Sequence, residues 1–181
     1  MSGNSLKLLG FHFDTNPFAA AQVKEILRKV RYRSWSIYHL KRLGMSPPGL
    51  INVYRALVRP CFDYACTIYN SMLTAAQSEA LERQQRKILK VIYGWDVSYE
   101  LALARSGLDR LNARRCVLAE RFAVKLAHNH WFSSWLQRSI AVPYTLRATI
   151  KYKEFPFRTE RLRHAPLYSF RRILNNLDSE Q

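Results

Sequence analysis

The sequence predicts a mainly α-helical fold: a helical bundle with one short N-terminal strand and an irregular, basic C-terminal tail. Two observations predict it. Apolar residues recur at three- and four-residue steps from Val23 to Leu126, the spacing that lines one face of a helix. The same stretches open on Ser, Thr, Asn or Asp, and three of them close on Gly, the residues that start and stop helices.

Leu6-Lys7-Leu8-Leu9-Gly10-Phe11-His12-Phe13 reads as a single strand. The following sequence offers it few partners, so its edges would stay open and it resembles a piece of a larger sheet. Asn16 and Pro17 open the first helix as N-cap and first helical residue. Val23, Ile26, Leu27, Val30, Ser34 and Ile37 form its buried stripe, and Gly44 ends it. Ser46-Pro47 starts the next helix, whose period runs through Leu50, Val53, Tyr54, Leu57, Val58, Cys61, Ala65 and Ile68. Pro60 lacks an N–H and predicts two pieces with a bend.

Thr74-Ala75-Ala76-Gln77 is a capping-box pattern. The helix behind it carries Leu81, Ile88, Val91 and Ile92 inward, with Glu79–Arg83 and Glu82–Arg86 as outward pairs. Gly94 stops it. Ser98 caps a short helix closed by Gly107. Asp109 caps a longer one to about Asn129, with Leu111, Leu118, Phe122 and Leu126 inward. His130 to Leu136 is an aromatic stretch read as a short helix. From Tyr144 to Leu167 the chain reads as extended and basic, and from Tyr168 to Asn176 as a last helix.

Charge narrows the function. Lys and Arg number 29 against 13 Asp and Glu, a net charge of +16 with a pI near 10.2. A phosphate backbone is the commonest partner for such an excess. An acidic membrane surface is an alternative, and a solvated basic surface without a dedicated partner is the plainest one. The chain has no apolar run of about 18 residues, so no membrane span is expected, and Met1 to Leu9 is too short and polar for a signal peptide. Cys61, Cys66 and Cys116 match no zinc spacing. They are expected reduced in the core of an intracellular protein, in nucleus or cytoplasm.

No catalytic constellation emerges. Two-metal chemistry needs converging carboxylates, whereas Asp14, Asp63, Asp96, Asp109 and Asp178 are scattered. Asp63 reads as a surface or hydrogen-bonding residue. His128 and His130, two apart on a helix, point to different sides, and His39 sits where it favours a helix dipole. Glycine-rich phosphate loops and nucleophile motifs are lacking. No catalytic residue, metal ligand or cofactor is therefore assigned. The candidate binding residues are Lys24, Arg28, Lys29, Arg31, Arg33, Lys41 and Arg42 on the first helix, and Arg114 and Arg115 further on. Arg171 and Arg172 add to them. Such contacts, about six phosphates in all, position a nucleic acid without reading its sequence. Tyr32, Trp35 and Tyr38 interleave with the cations. They either stack on bases or pack in the core, and for Trp35 the core reading is preferred. Trp131 and Trp135 read as core or interface residues.

Four blocks in order carry a resemblance: Lys-Leu-Leu-Gly-Phe-His-Phe-Asp (7–14), a basic helix, Val-Tyr-Arg-Ala-Leu-Val-Arg-Pro-Cys-Phe-Asp-Tyr (53–64), and Leu-Glu-Arg-Gln-Gln-Arg-Lys-Ile-Leu-Lys-Val-Ile-Tyr-Gly (81–94). They resemble the region following the polymerase core in non-LTR retrotransposon reverse transcriptases of the jockey and chicken-repeat kind. Arg158-Thr159-Glu160-Arg161 and Pro166 to Leu174 resemble the family's ending. The resemblance implies a palm-closing strand remnant at 1–14, a thumb-like helical domain at 15–139, and a basic, partly extended tail at 140–181. It implies RNA or an RNA–DNA hybrid as partner. The catalytic aspartates, and the Mg2+ they hold, would belong to a palm upstream, so the chain as it stands is expected to bind rather than polymerise. The alternative is a helical protein-interaction module whose apolar faces need that polymerase core or another partner to cover them.

Overall fold

The computed structural model describes residues 6–13, 19–136, 152–153 and 156–179. The fold is mainly helical, with a two-stranded antiparallel sheet near the N-terminus. The stretch read as one strand is a hairpin: β1 (Leu6–Leu8) pairs with β2 (Phe11–Phe13), with Leu8 opposite Phe11. Leu9 and Gly10 make the turn at φ 50° and 80°. Two positive φ values are what a tight hairpin turn requires. Leu9 lacks the usual Asn or Asp signature, which is why the turn is hidden in the sequence. Tyr64 Oη donates to the Leu9 carbonyl, and the His12 N–H donates to Gln22 Oε1 at 3.0 Å, so the hairpin is tied to the helices.

Helix α1 (Ala20–Arg42) is the long strut of the molecule and packs chiefly on α5 (Ala75–Tyr93). Its opening residues Asn16 and Pro17 lie outside the described residues. The expected stripe is buried, with Leu27 half-buried at its margin. Gly44, at φ 85°, follows the helix.

The helix expected in two pieces around Pro60 is two α-helical pieces joined by a wide turn. α2 (Pro47–Val53) runs through a π-helical turn (Tyr54–Val58) into α3 (Arg59–Asp63). The Arg59 N–H reaches back five residues to the Tyr54 carbonyl. The wide turn absorbs the hydrogen bond that Pro60 cannot make. It also shifts the phase, so Leu57 points outward while Tyr54 and Val58 are sealed in the core. Ala65, in the left-handed region at φ 55°, separates α3 from α4 (Cys66–Tyr69), which tightens into a 3-10 turn at Asn70–Met72.

Thr74 and Gln77 make the reciprocal capping box, at 3.0 and 3.2 Å. Leu81, Ile88, Val91 and Ile92 are buried as read. The outward pairs differ: Arg86 meets Glu79 at 3.4 Å, and Glu82 is buried. Glu82 Oε1 accepts from Tyr99 Oη of α6 (Tyr99–Ser106) and from the Leu111 N–H at 3.3 Å. It thereby caps α7 (Leu111–His128), the role expected of Asp109. Ser98 caps α6 through the Leu101 N–H at 3.3 Å.

The buried row of α7 is Leu111, Arg115, Ala119 and Ala123, with Leu118 and Leu126 at its edge and Phe122 outward. Two alanines let neighbouring elements approach closely. Around Ala123 a second small core gathers Leu136, Tyr152, Phe170 and Leu174. Leu136 ends a 3-10 turn (Ser133–Leu136), and α9 (Pro166–Ser179) follows a single turn, α8 (Glu160–Arg163). Within the expected tail, Tyr152 and the Asn175 amide exchange two hydrogen bonds of 2.9 and 3.0 Å. Ser71 and His164 exchange two more, each of 2.9 Å. The described part of the tail is thus anchored to the bundle.

Candidate nucleic-acid interface

Opposite its buried stripe, α1 presents Lys24, Arg28, Arg31, Trp35, Tyr38 and Arg42, all exposed. Their steps of four, three, four, three and four place them on one face about 80° wide, over about 27 Å of helix. Tyr32 flanks this row. Carboxylates are lacking on it. The helix's one acid, Glu25, stands to the side and takes Arg28 through two hydrogen bonds of 2.7 and 2.8 Å, with Lys29 at 3.6 Å. The Arg28 hydrogen bonds hold the Glu25 carboxyl down at about 2, well below its usual range. Arg28 still exposes most of its side chain, so it remains able to meet a second anion. Lys24, Arg31 and Arg42 have no hydrogen-bond or ion-pair partner among the described residues.

Other expected binding residues serve the fold instead. Lys41 Nζ donates to the Val91 carbonyl and, at 3.4 Å, to that of Ile92, closing the C-terminal end of α5. Arg33 donates to the Leu57 carbonyl at 2.8 Å, in the π-helical turn. Arg55 does the same for Ser106 at the end of α6, at 2.6 Å. Arg171 reaches the Trp135 carbonyl at 2.6 Å and Arg172 that of Arg163 at 3.1 Å. In this chain, helix-end carbonyls stand in for scarce carboxylates.

Arg114 is held by Asp63 in a bidentate pair of 2.8 and 2.6 Å, with Arg59 at 3.7 Å on the same carboxylate. Asp63 is therefore an ion-pair residue joining α3 to α7. Arg115 is 2% exposed. Its guanidinium donates to Asn70 Oδ1 at 3.1 Å and Ser78 Oγ at 2.7 Å, and Nη1 is buried without a partner. That location takes Arg115 off the surface. Its position on the Leu111–Ala123 row was readable, but an Arg between two apolar candidates reads as outward. Two cations the sequence reading passed over, Arg121 and Lys125, line an open groove between α7 and α4 with Phe122 and Leu118.

Among the aromatic residues, Trp35 departs from the preferred core reading. Trp35 is 63% exposed, Tyr32 81% and Tyr38 47%. Trp35 belongs to the cationic row, and its spacing from Arg28, Arg31 and Arg42 was the sequence signal for this. Its ring meets His39 at a centroid distance of 3.7 Å and a 51° tilt. Trp131 and Trp135 are also exposed. Of the thiols, Cys61 and Cys66 are buried, and burial pushes Cys66 up to about 11, whereas Cys116 is exposed. No group of His, Cys, Asp and Glu among the described residues is arranged to hold a metal ion. None of the described helices is long and apolar enough to cross a membrane.

No family model, curated protein or solved structure matches the chain.

Proposed function

We propose that the chain is a nucleic-acid-binding helical module that lays the exposed face of α1 along a phosphate backbone. The carrying observation is the row of Lys24, Arg28, Arg31 and Arg42, exposed together with no acid among them. Like charges along a helix repel one another, and a polyanion relieves that repulsion while releasing its own counterions. RNA or an RNA–DNA hybrid is the partner favoured by the resemblance to the thumb side of a non-LTR reverse transcriptase. On this reading the chain binds without catalysing, in nucleus or cytoplasm. The groove beside Arg121 and Lys125 offers a second line of contact.

The number of phosphates falls from the sequence expectation, because Arg115, Arg114, Lys41 and Arg33 are engaged internally. About four contacts predict a log–log salt slope of about −3 to −4 for a hybrid duplex. Filter binding across 50–400 mM KCl measures it (a range of roughly one decade suits the slope). A flat response, or a slope unchanged by the double variant Arg31→Glu/Arg42→Glu, overturns the proposal.

A second reading has its own observation. Leu6, Leu8 and Leu9 of the hairpin are exposed beside open strand edges. A protein partner, such as a polymerase core, would cover them. Sedimentation of the isolated chain tests this: a monodisperse monomer that leaves the hairpin in water counts against it.

A further inference from the structure

Tyr32, Trp35 and Tyr38 form an oblique row of rings crossing the cationic face of α1, one every three residues. At each step the backbone advances about 4.5 Å along the axis and turns by about 60°. Arg28 and Arg31 lie before the row, and His39 and Arg42 after it. The Trp35 ring touches His39 on one side, and most of its surface faces water.

Cations alone would suffice to hold a duplex by its phosphates. They do not explain three large rings left in water on the same face, which a soluble surface ordinarily avoids. A partner for this face must carry negative charge and flat apolar surfaces in alternation. In a duplex the bases cover one another's faces, and the rise per base is about 3.4 Å. In an unpaired strand each nucleotide offers a phosphate and a free π-face, and bases splay apart to stack on aromatic side chains. Rings that step about 60° around the helix at each position face different directions, which suits bases that have separated rather than one continuous base stack.

We infer that the aromatic row of α1 takes the unpaired bases of a single strand, so the module discriminates single-stranded nucleic acid, or a single-stranded overhang, from blunt duplex. This rests on the backbone reading above. Arg28 and Arg31 hold the phosphates on one side of the stacked bases, and Arg42 holds them on the other.

The test uses the full chain and three fluorescent probes: a single-stranded oligouridylate, a blunt RNA–DNA hybrid, and that hybrid with a uridine overhang. Their affinities are read by anisotropy. Trp35→Ala is expected to weaken the single strand and the overhang about tenfold and the blunt hybrid less than about twofold. Trp35→Phe keeps a ring and should recover most of the loss. Circular dichroism melts check that each variant folds, which the exposed position of Trp35 favours. Equal losses on all three probes, or no loss on any, overturn the inference while Arg31→Glu/Arg42→Glu still reports on the backbone reading. If that charge variant also leaves every probe unaffected, both fall. Saturation of the face by an acidic, aromatic-rich peptide in preference to every nucleic-acid probe overturns the inference too.

Discussion

Glu25 shows how much one side chain decides on α1. It is the acid that neutralises Arg28 and Lys29 beside an otherwise cationic row. Its carboxyl is held at about 2 by Arg28, below the ordinary 4.5. A lowered carboxyl contributes stability that is full above about 4.5 and is lost as pH falls toward about 2. Thermal melts of the protein and of Glu25→Gln should therefore differ at pH 6 and converge near pH 2. The same substitution frees two cations for phosphate, so affinity for nucleic acid should rise about threefold. A weaker complex would mean that Glu25 orients Arg28 rather than competing for it. Arg115 makes the opposite point. Its charge is spent on Asn70 and Ser78 in the interior, and counting cations along the sequence cannot reveal that.

At the scale of elements, the hairpin turn is one of two places among the described residues, with Ala65, where a non-glycine residue holds a positive φ. Leu9, a residue 87% exposed, holds φ 50°, a conformation costing about 1 kcal/mol that Asn tolerates better. Leu9→Asn should slow hydrogen exchange at the strand amides of β1 and β2 about fivefold; unchanged exchange would show that the Tyr64 contact already sets the turn. The long helices α1 and α5 were legible because their apolar residues keep phase with a regular helix and their caps are local. α7 was not. Its tight row uses Ala119 and Ala123, while the larger Leu118 and Phe122 lie toward the edge and the groove, so size misled the choice of face. The cap of α7 comes from Glu82, 29 residues away, and no local motif announces it. The cationic half of the candidate site was readable from composition. Its aromatic half was readable only through helix phase: the stripe of Val23, Ile26, Val30 and Ile37 leaves Trp35 on the opposite side, although its size alone favours a core reading.

For the whole molecule, a net charge of +16 pushes the compact state apart. Lys41, Arg33, Arg55, Arg171 and Arg172 answer it by bonding backbone carbonyls, neutral acceptors that salt screens less than it screens an ion pair. Raising KCl from about 0.1 to 1 M should thus raise the melting temperature by a few degrees while cutting nucleic-acid affinity about a thousandfold. A melting temperature that drops with salt would show that exposed ion pairs, not helix-end contacts, hold the bundle. The shared carboxylate of Glu82 has a practical meaning for anyone dividing this chain into smaller pieces. Cutting between the helix that carries it and the two that donate to it strands an acid in an oily interior, where it must take up a proton or let water in. A fragment that keeps any one of these three helices must therefore keep the whole run from Thr74 to His128.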